Sequence, residues 1–132
     1  MTTLIDVATY LDAQLATLTI GVNLFVGRLP ETPDTCVTLF EYGGSTPTDT
    51  LGTGLPVLEN PRVQVLTRGV TYAATETMAR AVWSALQAIQ NSTLSGVLYQ
   101  RMSAIQGPFP LDRDSKDRII FVQNYDVMRV YS

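Results

Sequence analysis

Few residues of this chain can do chemistry, and their spacing limits what that chemistry is. The chain holds one cysteine, Cys36, and no histidine. A thiol needs a base to become a nucleophilic thiolate, and proton relays, Ser-His or Cys-His pairs and zinc sites need imidazole or several thiolates, so these classes are excluded. Cys36, between Thr35 and Val37, reads as a small buried hydrophobe with no partner for an internal disulfide, which fits a reducing compartment. Carboxylate chemistry remains. The twelve acids are dispersed except at Asp112-Arg113-Asp114-Ser115-Lys116-Asp117, whose first and third positions imitate the start of a calcium loop. Lys116 and Asp117 then stand where that loop needs an oxygen ligand and a glycine, and Arg113, Lys116 and Arg118 neutralise the cluster, so a solvated turn is expected. The glycines from Gly43 to Gly54 invite comparison with a phosphate loop. The Gly-Lys-Ser/Thr ending is missing, however, and no lysine precedes Lys116. No metal and no cofactor is expected.

The arginines do not form a nucleic-acid footprint. The sequence pI is about 4.7, and no Lys/Arg run is interleaved with aromatics. Arg62, Gln64 and Arg68 share one face of a strand by their even spacing, and they form a local basic stripe with Arg101 if the two strands are neighbours. Salt bridging or contact with a neighbouring subunit is the expected use. The net charge of −3 hides an asymmetry: residues 1–60 carry seven acids against Arg28, and residues 61–132 carry eight bases against five acids. Either the two signs occupy different surfaces, allowing head-to-tail association into a ring, or they intersperse within one fold.

The elements that hold these residues follow from periodicity. At 132 residues and 45% hydrophobic content, one domain with one core is expected over residues 1–132. No apolar run is long enough to span a bilayer, and no basic segment precedes an apolar one at the N-terminus, so neither membrane insertion nor export is expected. Leu4, Ala8, Leu11, Leu15 and Leu18 recur at helical steps and predict a helix to about Thr17, with Thr3 and Asp6 in the pattern of a capping box. Leu24–Leu29 reads as a short strand ended by Pro30 and Pro33, and Thr35–Tyr42 as a second strand with Val37 and Leu39 inward. Residues 43–60 read as a long flexible loop, either an arm that orders on a partner or a plain surface loop. From Pro61, Val63 and Val65 alternate with polar residues up to Gly69. Thr71 then N-caps a helix in which Tyr72, Met78, Ala79, Val82, Leu86 and Ile89 form one apolar face. Asn91 reads as the left-handed residue that closes this helix. A strand over Gly96–Gln106 carries Leu98, Met102 and Ala104 on one side and Tyr99, Arg101 and Ser103 on the other. Pro108 and Pro110 stop it, and the last strand runs from Arg118 to Tyr131. The architecture predicted is α+β, a mostly antiparallel or mixed sheet of about five strands with two helices packed on one face. The other face, with Arg62, Gln64, Arg68 and Arg101, is too polar to be core.

The central stretch also resembles a known family. An Arg-bearing strand, Arg-Gly, a Tyr and an Ala-rich helix with an aromatic-x-x-Leu run, here Arg62, Arg68, Gly69, Tyr72 and Trp83 to Leu86, is similar to the tail terminator (tail completion, or minor capsid) proteins of long-tailed bacteriophages. The resemblance covers about thirty positions closely and the rest by element order. It implies a virion structural protein without catalysis, located at the neck of the tail and assembled in the host cytoplasm. The implied assembly is a homo-oligomeric ring, typically a hexamer, that caps the tail tube protein and docks the head connector or stopper protein. Genomic DNA would pass only through the lumen, and no membrane is involved. Contacts would come from the 43–60 arm, with Gly43, Gly44, Leu51 and Leu55, and from the turn at Pro108 and Phe109. Two other readings stay open: another neck protein such as a head-completion stopper, and a small cytoplasmic enzyme or ligand-binding domain, for which a concave pocket with convergent polar groups is the mark.

Overall fold

The structure is a computed structural model and describes residues 3–48, 58–111 and 113–130. Along the chain come α1 (Thr3–Gln14), β1 (Leu24–Val26), β2 (Cys36–Thr48), β3 (Leu58–Gly69), α2 (Tyr72–Gln87), β4 (Gln90–Leu94), β5 (Val97–Ala104), β6 (Phe109–Pro110) and β7 (Ile119–Val130). The strands form one mixed sheet in the order β1-β2-β3-β7-β5-β4, with β6 paired to β7 beyond the end of β5. Among the described strands, β1 and β2 pair in parallel and the other pairings are antiparallel.

Both helices lie on one face. Val37 and Leu39 of β2, Val63 and Val65 of β3, and Tyr125 and Val127 of β7 point to that side and share a core with Leu4, Val7, Ala8 and Leu11 of α1 and Val82 and Leu86 of α2. Leu11, Val82 and Leu86 are fully buried, each contributing about 1.5–3 kcal/mol of transfer free energy. The start of α2 is set by local chemistry: the Thr71 hydroxyl accepts from Ala74 N, and the Thr75 hydroxyl donates to Thr71 O. Gly69 is required just before it. A Cβ there would stand 2.1 Å from Thr75 Oγ1, so strand and helix can meet this closely only without a side chain.

Several boundaries differ from the periodicity. α1 stops at Gln14, and β1 is only Leu24–Val26. Asp6 does not act in a capping box; its carboxylate is buried and accepts from the Tyr99 hydroxyl of β5, with Arg129 Nη1 3.6 Å away. β2 continues to Thr48 and β3 begins at Leu58, so Gly43, Gly44 and Asn60 belong to strands, with Gly44 opposite Pro61; residues 49–57, including Leu51 and Leu55, lie outside the described residues. Two strands, β4 and β6, go beyond the five expected. β4 is polar except for Leu94, and Asn91, though left-handed at φ 48°, sits inside it; α2 ends instead at Ala88. β4 and β5 form a hairpin with Leu94 opposite Val97, turned by Ser95 and Gly96 at φ 50° and 82°, the pair of positive angles a tight two-residue turn requires. The faces of β5 also differ from strict alternation. A register shift between Tyr99 and Arg101 puts both Tyr99 and Met102 in the core and leaves Leu98 exposed.

Candidate interaction surface

The sheet face without helices is built from the even-numbered residues of β3 and β7 and their cross-strand neighbours. Three rows run across it. Phe109, Val122, Leu66 and Thr38 make a row over β6, β7, β3 and β2, in which Val122 and Thr38 are buried. Next come Asn124, Gln64 and Phe40, with Gln64 Nε2 donating to Asn124 Oδ1 at 3.2 Å. The third holds Ser103, Asp126 and Arg62, with Arg62 Nε 2.9 Å from Asp126 Oδ1. That ion pair is half-exposed on both sides, so it is worth about 0–1 kcal/mol and mainly sets register. Tyr42 and Phe109 stand partly exposed on this side at 39% and 37%. Partial burial, with Asp126 adding to it against Arg62, holds the Tyr42 phenol above its ordinary value.

The expected basic stripe does not form. β7 separates β3 from β5, Asp126 neutralises Arg62, and the exposed Arg101 lies opposite Met128 one row further on. Arg68 is not a surface contact either: it is 2% exposed. Its guanidinium donates to Asp34 O at 3.1 Å, Pro33 O at 2.7 Å and Glu31 O at 3.4 Å, all in the connection from β1 to β2. Arg118 grips the same connection, donating to Glu31 O at 2.6 Å and to Asp34 Oδ1 at 3.2 Å. Its Nε meets Asp114 Oδ2 at 2.8 Å. Asp114 also accepts from the backbone N–H groups of Lys116 and Arg118, and these bonds, that of Arg118 first, hold its carboxyl below the ordinary range despite partial desolvation. Glu31 is likewise lowered, chiefly by its hydrogen bond from Lys116 and that lysine's charge.

Part of the charge asymmetry along the chain is met within the molecule. Asp6 meets Arg129, Glu31 meets Lys116 and Arg118, and Asp34 meets Arg118, each an early acid beside a late base. Gly43, exposed at φ 81°, and Gly44 lie on β2; Pro108 is half-buried at the entry to β6, beside Phe109. Periodicity located Arg62 and Gln64 on this face but not Asn124 and Asp126, which spoil the apolar run of β7 because they answer Gln64 and Arg62 across the ladder. Among the described residues, no group of three or more His, Cys, Asp or Glu is placed to hold a metal ion, and no helix is long and apolar enough to cross a membrane.

A family model described as bacteriophage tail terminator protein matches residues 8–131, which takes in every described strand. The chain belongs to that family. It is therefore a phage-tail structural protein of the virion and not an enzyme. No curated protein matches the chain. Among solved structures, this tail terminator family member is similar to a chain of the virion of a native gene transfer agent particle, with 19% identity, 95% of this chain and 92% of that chain covered, and a TM-score of 0.64. At that identity the likeness speaks for the fold. The motif residues Arg68, Gly69 and Tyr72 have internal duties here: Arg68 holds the β1–β2 connection, Gly69 admits Thr75, and Tyr72 packs its ring edge-on to Phe121 with centroids 5.1 Å apart.

Proposed function

We propose that this chain forms a homo-oligomeric ring, a hexamer, that caps the tail tube, ends its polymerisation and carries the head connector at the neck. The observation that carries this reading is the helix-free sheet face, where Phe40, Tyr42, Leu66 and Phe109 surround polar pairs that already satisfy each other. Such a face offers shape and apolar area without a reagent, and shape is what a cap needs. Each copy sets this face against a neighbour, and the closed ring occupies the end of the tube without presenting a surface on which another tube subunit can add. Residues 43–60, which take in the end of β2 and the start of β3, and the Pro108–Phe109 turn contact the tube or the next copy, and DNA passes through the lumen. Family membership favours the cap over a head-completion stopper. Deleting the gene and imaging the resulting tails tests it: overlong tubes support capping, and tails of normal length detached from filled heads count against it.

A further inference from the structure

The connection from β1 to β2 has a structural peculiarity. The two strands are parallel, so the chain must run back along the sheet before entering β2. The helices occupy one face, and the connection lies against the other. Gly27 N donates to Leu39 O at 2.8 Å, the last backbone bond before β2 begins. None of residues 28–35 is buried. Yet the side chains at this corner of the helix-free face are: Cys36 is 1%, Thr38 0%, Arg68 2% and Arg118 5% exposed, against 39% for Tyr42 further along the same strand. What fastens the segment is a set of arginine N–H donors on the carbonyls of Glu31, Pro33 and Asp34, with the exposed Lys116–Glu31 pair outside them.

We propose that residues 28–35 are a strap that opens as a unit, hinged beside Gly27, while the sheet stays folded, and that Arg68 and Arg118 are its latch. The left-handed Gly27, at φ 80°, supplies a hinge that no β-branched neighbour stiffens on its C-terminal side. The apolar side chains of the segment, Leu29, Pro30 and Pro33, are only partly buried, so opening exposes far less apolar area than unfolding the sheet and its release is local rather than global. Opening bares Cys36, Thr38 and two guanidinium groups and gives the helix-free face a second, larger shape. The inference concerns the isolated chain and holds whether or not the ring forms.

Cys36 is the single thiol of the chain, which makes it an internal reporter. Burial also raises its pKa, so reaction in the closed state is slow. The experiment is alkylation of the wild-type protein by N-ethylmaleimide across a urea series. A labelling rate nearly flat at low urea, faster than unfolding of the whole domain permits, supports local opening. Arg118→Gln and Arg68→Gln each remove more than one charged donor to the segment and raise the rate in native buffer by at least about tenfold, the change expected from losing a single such bond. A wild-type rate that follows the slope of global unfolding from zero urea overturns the proposal, as does a variant whose rate rises no more than its loss of global stability explains. If the variants do not fold, the wild-type urea dependence decides alone.

Discussion

Replacing Gly69 by alanine probes how strand β3 hands the chain to α2. The added Cβ stands 2.1 Å from Thr75 Oγ1 and 3.2 Å from Thr75 Cβ. Thr75 is buried and its hydroxyl donates to Thr71 O at 2.6 Å, so it cannot swing away without losing that bond, about 1 kcal/mol. If it stays, the first turn of α2 must move off β3, an overpacking cost of about 1–3 kcal/mol. Gly69→Ala should therefore cost about 1–3 kcal/mol, whichever of the two routes is taken. Thr75→Ala alone should cost about 1–2 kcal/mol for the lost bond and methyl group. In the Thr75→Ala background the hydroxyl contact is gone while the 3.2 Å approach to the Cβ of residue 75 remains, so the cost of Gly69→Ala should fall by about 1 kcal/mol or more. The assay is urea unfolding of the four proteins by circular dichroism, with a constant slope confirming that stability alone has changed. An equal cost in both backgrounds would refute the contact, because the cycle isolates the interaction between the two sites.

Asp6→Ala removes the acceptor of the Tyr99 hydroxyl and the carboxylate neighbour of Arg129, whose side chain is 11% exposed; thermal melts should show a loss of about 3 kcal/mol, against about 1 kcal/mol for Tyr99→Phe. Asp114 and Glu31 have lowered pKa values, so their contribution is complete above the ordinary carboxylate range and disappears as pH falls through their folded values. Unfolding followed from neutral pH downwards should accordingly show a loss in that acid window that Asp114→Asn diminishes. Tyr99 behaves in the opposite sense: burial first, then its bond to Asp6, pushes its pKa up to about 12. Its contribution is full below the ordinary value of 10.0 and is lost as pH rises towards 12. Phenolate absorbance should show Tyr99 and Tyr125 ionising above the ordinary tyrosine range, and an early titration of either would contradict the burial.

Much of the fold was legible because its core obeys simple periods. Val63 and Val65, the α2 stripe from Ala79 to Ile89 and the Thr71 cap were readable, since each is decided by neighbours close in sequence, whereas Tyr72, which spacing placed on that stripe, is 46% exposed and rests edge-on against Phe121. What was hidden depends on partners far along the chain. β4 is a strand because β5 folds back on it; its sequence of Gln, Asn, Ser and Thr resembles a loop, and left-handed Asn91 resembles a helix cap. Asp6 has the spacing of a cap but is claimed by Tyr99, 93 residues later. Arg68 looked like a surface arginine because alternation gives the face on which a residue lies, not whether a connection crosses over it. The candidate surface was half-visible for the same reason: Arg62 and Gln64 announce a polar face, while Asp126 and Asn124 become its other half only once β7 is known to lie beside β3. The resemblance carried by Arg68, Gly69 and Tyr72 identified the family through residues that shape the fold rather than through contacts with partners.

The most direct test of the account is sedimentation and electron microscopy of the purified protein beside a variant carrying Tyr42→Asp and Phe109→Asp. Both side chains are partly exposed on the helix-free face, and circular dichroism of the variant establishes that it is folded before its assembly is compared. The wild type should form rings, alone or on tube ends, and the variant folded monomers that form none. Rings of unchanged size and number from the variant, with the helix-free face open to solvent in their map, would contradict it.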